Sequence, residues 1–303
     1  MTSLENELRR NLNESNDSCR LFHGRGECFE GLNHVNIDYF SPTVLITAYS
    51  PCDDMLLQEL QDKIQEVLGQ RVENILLQKR YEKLAPTVVL LGKLEKEKII
   101  TEDGLKYHLS LGRNQNLGFF LDMKEVRSFL KTRAKDKKVL NLFSYTGAFS
   151  VAAMAGGAKE SINFDLSKSS LNTARDNHRL NDLNLKSVKY LPHDILKSFG
   201  KIRKLAPFDF IILDPPSDQG SSFKVERDYK KVVRKLDEFL EPDGLAIACL
   251  NSPHHSHDYL KELFKEHAPS LDFEGCLERP DSFSESQKDR GLKIQLYRNS
   301  HKS

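Results

Sequence analysis

From residue 118 onward, short apolar runs alternate with helical patterns, and this rhythm is the feature that most restricts how the 303-residue chain can fold. One helix is predicted to start at Asp122, where Glu125 three residues later completes a capping box, and another spans Tyr229 to Leu240. Strands that alternate with helices imply right-handed crossovers and a parallel sheet covered on both faces. The predicted strands are Val139–Phe143, Ser161–Asp165, Val188–Leu191, Phe208–Leu213 and Leu245–Leu250.

Two further strands, Asp272–Leu277 and Leu292–Tyr297, differ from the others. The segment between them, Arg279–Arg290, is polar and contains no long amphipathic helix. We therefore expect these two strands to pair antiparallel at the edge of the sheet. Seven strands with this ending predict an α/β, Rossmann-like fold that resembles the seven-stranded sheet of class I methyltransferases.

The first third of the chain predicts a small α+β domain over residues 1–97. Val44–Ala48 is typical of a buried strand, and Asp54–Leu68 carries apolar residues at helical spacing. Further short apolar runs are Ile75–Leu77 and Val88–Leu91. The alternation of these short elements indicates a core separate from that of the larger sheet.

A domain boundary is predicted near residue 97, within the mostly charged segment Lys93–Lys98. The following Glu102-Asp103-Gly104 is typical of a tight turn between two strands. We interpret residues 98–117 as a linking β-hairpin, which opens a larger domain that extends over residues 98–303.

Composition excludes several classes of protein. The 45 Lys and Arg residues balance 44 Asp and Glu residues, so a net charge of +1 gives no general attraction for nucleic acid. Five scattered cysteines without a C-x-x-C pair favour reduced thiols. Met1–Arg20 lacks the apolar core of a signal peptide, and no apolar run is long enough to span a membrane. These patterns predict a cytoplasmic protein whose polyanion site, if present, is a local patch.

The first candidate site motif joins a strand to a helix. Val139–Leu142 is apolar, and the turn that follows is rich in small residues, so a ligand can approach backbone amides at a helix N-terminus. The motif lacks the G-x-G-x-x-G fingerprint, and its single Gly147 leaves little room for a pyrophosphate. This weighs against a nicotinamide oxidoreductase and favours a ligand without phosphates. We expect contacts with this ligand from Asn141, Phe143, Tyr145, Thr146 and Gly147.

Acidic residues follow the next two strands. Asp165 lies 18 residues after Gly147, where a carboxylate can accept hydrogen bonds from both ribose hydroxyls of a nucleoside, although acids at strand ends also cap helices. Asp194 follows the third strand and can reach an adenine amino group, or it can serve as a turn residue. Leu166, Ser167 and His193 flank these acids and complete the predicted nucleoside site.

The sharpest motif is the buried strand Asp209–Leu213, which ends in Asp214-Pro215-Pro216-Ser217. The two prolines fix φ and remove two backbone donors, so the loop is stiff and its carbonyls face a cleft. A rigid loop with a carboxylate suits a flat base held edge-on near a donor methyl group. We predict Asp214, Pro215 and Pro216 as catalytic residues, with Asp214 also near the cofactor; a loop that merely breaks a helix is the alternative.

These motifs together resemble the family of large-subunit ribosomal RNA methyltransferases I and K. The resemblance rests on Asn141–Gly147, Asp165 and Asp214-Pro215-Pro216, and it covers most of the chain after Arg20. It implies S-adenosyl-L-methionine as the cofactor and RNA, in particular large-subunit ribosomal RNA, as the partner.

Other segments extend this resemblance. Gly118–Asp122 with Arg127 resembles the family's G-Y/L-Y/F-L-D-x-R segment, which implies that Phe120 and Arg127 help to enclose the methionine part of the cofactor. Phe223–Asp228 resembles the branch that methylates guanine N7. More weakly, Arg20–Phe40 is similar to the family's central RNA-facing domain.

The sequence also departs from the family's pattern. The family's further N-terminal RNA-binding domain has no counterpart, and the D-P-P loop continues with Ser217-Asp218 where the family has Lys or Thr followed by Phe. The resemblance therefore indicates the family and leaves the modified nucleotide open.

The acceptor atom decides which residues the chemistry needs. Guanine N7 carries a lone pair and requires no base, whereas carbon 5 of cytosine must be activated by a cysteine that attacks carbon 6. Cys249 ends the fifth strand, roughly where the cytosine branch carries its nucleophile, although a strand cysteine is more often a small buried hydrophobe. The Phe223–Asp228 similarity and Ser282-Phe283-Ser284 favour guanine N7, with 5-methylcytosine formation as the alternative.

Scattered basic and aromatic residues are the candidates for RNA contacts, although each alone is equally typical of a solvated surface. The basic residues are Arg20, Arg25, Lys79, Arg80, Lys83 and Arg113, and the aromatic residues among them are Phe22, Tyr81 and Phe119. Three histidines after the fifth strand, His254, His255 and His257, lack a positioned acidic partner, so we expect no metal.

Two rival interpretations stay open. A non-catalytic RNA-binding module would keep the basic surface, but the retention of Asp165 and Asp214-Pro215-Pro216 favours an enzyme. A methyltransferase of a protein or small molecule would share the scaffold, because the fold alone does not fix the substrate.

Overall fold

The computed structural model describes residues 2–112, 115–216, 218–219, 223–287 and 289–300. The chain divides into two compact units, Met1–Asp122 with Pro280–Lys288 and Met123–Arg279 with Asp289–Ser303. The first division falls at residue 122, so the hairpin segment after residue 97 lies in the first unit. No helix in these described ranges is long and apolar enough to cross a membrane.

The first unit is built around a five-stranded sheet in which only the third and fourth strands are parallel. In spatial order, which is also chain order, its strands are β1 (Cys19–His23), β2 (Val35–Phe40), β3 (Thr43–Ala48), β4 (Asn74–Lys79) and β5 (Thr87–Leu91). Two helices, α1 (Thr2–Asn11) and α2 (Asp54–Leu68), share one apolar cluster with these strands. The polar leader thus includes an amphipathic helix, whose Leu4 and Leu8 are fully buried.

Helix α2 has the bounds that its apolar spacing predicts. The carboxylate of Asp53 accepts a hydrogen bond from the N–H of Leu56 at 2.7 Å, which satisfies one of the donors that a first helical turn leaves free. Leu60, Ile64 and Leu68 are buried, because side chains four residues apart lie on one helical face. The prediction for this helix is confirmed.

The next element of the first unit is the hairpin of β6 (Glu97–Glu102) and β7 (Leu105–Ser110). Asp103 and Gly104 connect the two strands with φ angles of 50° and 76°. Two consecutive left-handed residues are typical of the type I′ turn, whose twist matches that of paired strands. The turn predicted at residues 102–104 is therefore confirmed.

The second unit contains the seven-stranded sheet, with spatial order β10-β9-β8-β11-β14-β16-β15. The strands of this unit are β8 (Lys138–Leu142), β9 (Glu160–Asp165), β10 (Val188–Pro192), β11 (Phe208–Leu213), β12 (Asp218–Gln219), β13 (Phe223–Lys224), β14 (Leu240–Asn251), β15 (Leu271–Cys276) and β16 (Leu292–Asn299). Strands β12 and β13 form a separate pair. The predicted α/β, Rossmann-like fold is confirmed, and β15 and β16 pair antiparallel as expected.

Helices cover this sheet, and the apolar side chains form two large clusters. The helices are α3 (Lys124–Arg133), α4 (Ala148–Ala155), α5 (Lys168–Leu180), α6 (Phe199–Leu205), α7 (Lys230–Val233), α8 (Leu236–Phe239) and α9 (His257–His267). Because β-strand side chains alternate between faces, Val139 and Ile212 enter one cluster while Leu140 and Leu213 enter the other.

Two helix predictions are wrong in detail. A 3₁₀ turn, Leu121–Met123, precedes α3, so the N-cap of this helix is Met123 and not Asp122. The continuous helix predicted over Tyr229–Leu240 is divided into a π-helical turn (Val225–Tyr229), α7 and α8, and Leu240 already belongs to β14. The apolar pattern identified the buried face correctly, but tertiary packing determines where each turn of helix ends.

Candidate active site

The strand register brings the candidate site residues to one edge of the sheet. Leu142 of β8 is level with Phe164 of β9 and with Leu213 of β11, and Leu213 is level with Ala248 of β14. The next residue on each strand therefore falls into one row, which consists of Phe143, Asp165, Asp214 and Cys249. The chain turns from β8 toward β9 on one side, while β11 lies on the other side. Such a switch point at the carboxyl ends of parallel strands is where ligands bind in open α/β sheets.

The turn after β8 has an unusual backbone. Phe143, Tyr145 and Gly147 adopt positive φ angles of 59°, 46° and 72°. Non-glycine residues rarely occupy this region and are concentrated at functional sites, because surrounding contacts must compensate for the strain. One such contact is the hydrogen bond from the N–H of Ser144 to the carbonyl of Phe164 at 2.9 Å. The turn is thus held against the end of β9.

The carboxylate of Asp165 fixes this turn directly. Its Oδ2 accepts a hydrogen bond from the N–H of Tyr145, and its Oδ1 accepts one from the N–H of Ser167, each at 2.8 Å. A carboxylate oxygen has two lone pairs, so each oxygen can accept a further hydrogen bond. The side chain is partly exposed. This geometry fits an acid that is oriented by backbone donors and presents its remaining lone pairs to two ribose hydroxyls.

The residues beside Asp165 have different surroundings. Leu166 is 62% exposed, whereas Thr146 is buried and its carbonyl accepts a hydrogen bond from Asn177 Nδ2 at 2.9 Å. Ser167 is the N-cap of α5, and its Oγ accepts from the N–H of Ser170 at 3.1 Å. The start of α5 is therefore fixed by side-chain hydrogen bonds, while Leu166 stands available to contact a ligand.

Asp194 and His193 lie after β10. The Oδ1 of Asp194 accepts from the N–H of Leu196 at 3.0 Å and caps a 3₁₀ turn, and its Oδ2 lies 3.6 Å from Lys197 Nζ. His193 Nε2 lies 2.5 Å from Lys201 Nζ. These contacts agree with the interpretation of Asp194 as a turn residue, and its contact with an adenine amino group stays a prediction.

The Asp-Pro-Pro loop follows β11 directly. Asp214 and Pro216 are partly exposed and Pro215 is buried, while Ser217 lies outside the described residues. Tyr229 is fully buried, and its hydroxyl donates to the carbonyl of Cys249 at 3.0 Å. Burial above all, with smaller contributions that include the charge of Asp214, raises the pKa of Tyr229 well above its usual value. Tyr229 therefore remains a neutral hydrogen-bond donor beside the loop.

Two buried polar atoms test whether this edge fits a cofactor. Asn141 is fully buried and Ser144 nearly so, yet Asn141 Oδ1 and Ser144 Oγ have no hydrogen-bond partner among the described residues. A buried polar atom without a partner costs free energy, so each such atom in a native fold calls for an explanation, and a ligand that supplies the partner is one explanation. Both belong to the segment predicted to bind S-adenosyl-L-methionine, whose amino-acid part supplies both donors and acceptors. The residues present fit this group.

Phe120 and Arg127, which the sequence assigns to the methionine part of the cofactor, belong to different units. Phe120 lies in the first unit and is 45% exposed, whereas Arg127 lies on α3 in the second unit and is almost completely buried. Their contact with the cofactor stays a prediction.

The three histidines lie in and just after the loop that follows β14. Ser252 Oγ lies 2.9 Å from His255 Nδ1, and the rings of His255 and Tyr259 are 4.3 Å apart. The N–H of His257 donates to Asp289 at 3.0 Å. In the part of the chain that the structure describes, no group of three or more His, Cys, Asp or Glu residues is arranged to hold a metal ion.

The basic residues predicted to contact RNA separate into buried and accessible groups. Arg20 donates from Nε and Nη2 to the two carboxylate oxygens of Asp38. Its guanidinium carbon lies 4.5 Å from the centroid of the Phe283 ring. Phe22 is fully buried and Phe119 nearly so. Phe22 and Phe119 thus have almost no exposed ring surface, and Arg20 is partly buried against Asp38. The contact of these residues with RNA stays a prediction.

The accessible group is centred on Tyr49. The guanidinium of Arg25 lies 4.3 Å from the centroid of its ring, and that of Arg80 lies 5.7 Å away. Tyr81 is 38% exposed and Lys83 is exposed, while Lys79 pairs with Glu82 at 3.3 Å. The pKa of Arg80 is lowered, chiefly by burial, and the charge of Arg25 adds to the lowering. Two cations thus share one tyrosine; Arg113 lies outside the described residues.

Sequence reasoning missed several buried polar residues that the structure places near the turn after β8, which we call the cofactor turn. Ser150, Asn163 and His178 are fully buried polar residues on α4, β9 and α5, and Asn163 is hydrogen-bonded to Asn141. Their only signal in the sequence is a polar residue at a position where the periodicity expects an apolar one. Tyr49 was also missed, because it follows directly on an apolar strand.

Comparison with known proteins agrees with this geometry. A family model described as S-adenosylmethionine-dependent methyltransferase matches residues 19–298. A Bacillus subtilis (strain 168) protein named as a candidate ribosomal RNA large subunit methyltransferase, YwbD, is 33% identical over 247 residues, which are 77% of this chain and 60% of the relative. Ribosomal RNA large subunit methyltransferase I of Aeromonas salmonicida (strain A449) is 36% identical over 153 residues, 49% of this chain and 39% of the relative. The chain thus spans less than two thirds of the length of these relatives.

A solved structure covers more of the chain. The crystal structure of a candidate methyltransferase complexed with SAH has a TM-score of 0.87 and 27% sequence identity, and the match covers 98% of this chain and 81% of that chain. The similarity includes both units, because nearly the whole sequence is matched. This neighbour holds the demethylated form of the cofactor that the candidate edge fits.

The role of Asp165 can be tested by Asp165→Asn. The amide keeps the size of the side chain but offers one acceptor oxygen, so it cannot satisfy two backbone N–H groups and two ribose hydroxyls. We expect the affinity for S-adenosylhomocysteine, measured by titration calorimetry, to fall at least about tenfold. Asp176→Asn, on the exposed side of α5, is the matched control and should bind normally. Unchanged affinity in Asp165→Asn would exclude the ribose assignment.

A second prediction concerns pH and His178. Burial lowers its pKa from 6.5 to about 4, while Tyr190, packed edge-on at 5.6 Å, is neutral over this range. Between these two pKa values the unfolded chain binds more protons than the folded chain, so the stabilisation is complete above pH 6.5 and is lost as pH falls toward 4. The expected loss is roughly 3 kcal/mol.

Urea unfolding at several pH values measures this loss. We expect His178→Gln to be less stable at neutral pH but to lose less free energy of unfolding on acidification, because glutamine does not titrate. Carboxylates that are paired in the folded chain contribute equally to both proteins, so the comparison isolates His178. Parallel pH profiles for the two proteins would show that His178 is not the titrating group.

Proposed function

The chain belongs to the family of S-adenosylmethionine-dependent methyltransferases, and we propose that it methylates a base of large-subunit ribosomal RNA, with guanine N7 as the acceptor. The observation that carries the proposal is the row of Phe143, Asp165 and Asp214 at the switch point of the sheet. It combines a strained turn, an acid oriented by two backbone donors and a rigid Asp-Pro-Pro loop. The relatives named for large-subunit ribosomal RNA support the choice of substrate.

The residues at this edge of the sheet have different roles in the proposed reaction. The bound cofactor supplies an electrophilic methyl group on a sulfonium. Asp165 holds the ribose, and Asn141 Oδ1 and Ser144 Oγ provide polar contacts for the amino-acid part. The carbonyls and carboxylate of the Asp214-Pro215-Pro216 loop are acceptors that hold the edge of the target base. Catalysis then consists of alignment and exclusion of water, which suits an in-line displacement.

Guanine N7 requires no proton transfer in this displacement. The lone pair of N7 forms the new bond to the methyl carbon while the carbon–sulfur bond breaks, and the positive charge passes from the sulfonium to the purine ring. S-adenosylhomocysteine leaves as a neutral thioether. No general base is needed.

The surroundings of Cys249 support N7 over carbon 5 of cytosine. Its side chain is fully buried in the apolar cluster that contains Ile212 and Ile247, and its carbonyl is fixed by Tyr229. A thiolate nucleophile needs an accessible site that stabilises negative charge. Formation of 5-methylcytosine remains the second candidate. Leu213 pairs with Ala248, so the next residues, Asp214 and Cys249, lie side by side, just after β11 and near the end of β14.

The group around Tyr49 is the proposed contact for RNA phosphates. Arg25 is exposed and Arg80 partly so, and both guanidinium groups lie close to the ring of the partly exposed Tyr49. Arginine side chains that stack on an aromatic ring are preorganised to meet phosphate groups and unstacked bases. A net charge of +1 gives the whole chain no general attraction for RNA, and this patch supplies the positive charge locally.

The proposed activity is tested by incubation of the purified protein with labelled S-adenosylmethionine and unmodified large-subunit ribosomal RNA, followed by nucleoside mass spectrometry. We expect labelled 7-methylguanosine. Labelled 5-methylcytidine would make Cys249 the nucleophile. The absence of label, despite cofactor binding in calorimetry, would overturn RNA as the substrate and favour a protein, a small molecule or a binding role.

Replacement of Cys249 tests the acceptor atom independently. Cys249→Ala should retain the methylation rate within about threefold, because a buried cysteine acts as a small apolar side chain. Circular dichroism melting checks that the fold is intact. Loss of all activity in a folded variant would contradict N7 methylation and support attack by the thiol on cytosine.

The phosphate patch is tested by the double variant Arg25→Ala/Arg80→Ala. Each lost phosphate contact should reduce the salt dependence of RNA affinity by about one unit of log–log slope and weaken binding at all sequences alike. Filter binding over a series of salt concentrations measures both quantities. Arg9→Ala/Arg10→Ala on α1, which removes two exposed cations of the same unit, is the control. Equal salt slopes in both double variants would contradict the assignment.

A further inference from the structure

A chain of buried polar side chains leads from α5 to the cofactor turn. Asn141, Ser150, Asn163 and His178 are all fully buried. Asn141 Nδ2 donates to Asn163 Oδ1 at 3.1 Å, Asn163 Nδ2 donates to Ser150 Oγ at 3.0 Å, and Ser150 Oγ lies 2.9 Å from His178 Nε2. Polar groups are expensive in a core unless every one of them is hydrogen-bonded. A continuous chain of this kind therefore calls for a function.

Two backbone carbonyls constrain the directions of the hydrogen bonds in the chain. His178 Nδ1 lies 2.7 Å from the carbonyl of Ala174, which can only accept, so Nδ1 carries the proton. Burial lowers the pKa of His178 to about 4, so Nε2 is unprotonated at neutral pH and, with Ser161 Oγ at 2.7 Å, is one of two acceptors for the single hydroxyl proton of Ser150. The oxygen of Ser150 is then left to accept from Asn163.

The carbonyl of Lys189 independently orients the side-chain amide of Asn163. Asn163 Nδ2 also donates to this carbonyl at 3.4 Å, so the amino end of Asn163 faces Lys189 and Ser150. Its oxygen end must face Asn141, which can then present only its amino end to Asn163. The Oδ1 of Asn141 consequently points away from the chain, and it has no partner among the described residues.

We propose that Asn163, Ser150 and His178 are positioning residues that hold the Asn141 amide with its oxygen toward the α-ammonium group of S-adenosylmethionine. The inference rests on the proposed contact of Asn141 with the cofactor. A rotated amide would present its own N–H donors to a cation and repel it, so the orientation determines whether the contact attracts or repels. The chain of hydrogen bonds prevents this rotation.

Comparison of two ligands distinguishes orientation of the Asn141 amide from a general loss of structure. S-adenosylhomocysteine carries the α-ammonium group, whereas 5′-methylthioadenosine keeps the nucleoside and the sulfur but lacks the amino-acid part. Affinities of both ligands are measured by calorimetry for wild type, Asn163→Ala and Ser150→Ala. Ser161→Ala is the matched control, because Ser161 Oγ is equally buried and lies 2.7 Å from Ser150 Oγ but is not on the route to Asn141.

We expect Asn163→Ala to bind S-adenosylhomocysteine about tenfold more weakly, the effect of losing a hydrogen bond to a charged group. Ser150→Ala should cause a smaller loss, because Asn163 keeps its bond to Lys189. Both variants should bind 5′-methylthioadenosine within about twofold of wild type, and Ser161→Ala should bind both ligands normally. If Asn163→Ala does not fold, Ser150→Ala carries the test alone.

Equal losses for both ligands, or a loss of the same size in Ser161→Ala, would overturn the proposal and leave a purely structural role. Undiminished affinity of a folded Asn163→Ala for S-adenosylhomocysteine would also overturn it. The experiment contains no RNA, so its result is independent of which nucleotide, if any, the enzyme methylates.

Discussion

The carboxylate of Asp165 is the interaction on which the proposed cofactor site depends. By accepting the N–H of Tyr145 and the N–H of Ser167, each at 2.8 Å, it connects the turn after β8 with the start of α5. This connection is one of the contacts that offset the strain of the positive φ angles at Phe143 and Tyr145. The strands of the sheet end in one row, and Asp165 holds the turn after β8 and the start of α5 together at that row.

Strong local signals made much of the fold predictable. Apolar runs with no competing periodicity identified the strands, the helical spacing of apolar residues over Asp54–Leu68 identified α2, and Glu102-Asp103-Gly104 identified a hairpin turn. The failures arise where tertiary contacts decide. The buried face predicted for Tyr229–Leu240 is correct, but a π-helical turn begins earlier and β14 begins at Leu240. Periodicity reports which side chains are buried, and it does not report where backbone hydrogen bonds change partner.

Surface chemistry was less predictable than the strand-end motifs, because a sequence does not show which cations are already neutralised. Arg20 and Arg25 lie five residues apart and are equivalent in composition. One is buried against Asp38 and Phe283, and the other is exposed beside Tyr49. Residues of the segment Pro280–Lys288 belong to the first unit although they lie far along the chain. Such long-range pairing decides which arginine is neutralised within the fold and which remains at the surface.

The identity of residue 141 accounts for the buried polar chain behind it. A carboxylate at this position would accept a hydrogen bond from a cation through either oxygen and would need no orientation. It would, however, place an uncompensated charge in the core whenever the site lacked its ligand, at a cost of several kcal/mol. An amide avoids the charge, but it has a repulsive end and an attractive end of almost identical shape. Only hydrogen bonds can distinguish those two ends, and those from Asn163, Ser150 and His178 end at backbone carbonyls that cannot reverse. Under the proposed contact of Asn141 with the cofactor, the polar residues that break the apolar pattern of α4, β9 and α5 serve to orient a neutral side chain at residue 141.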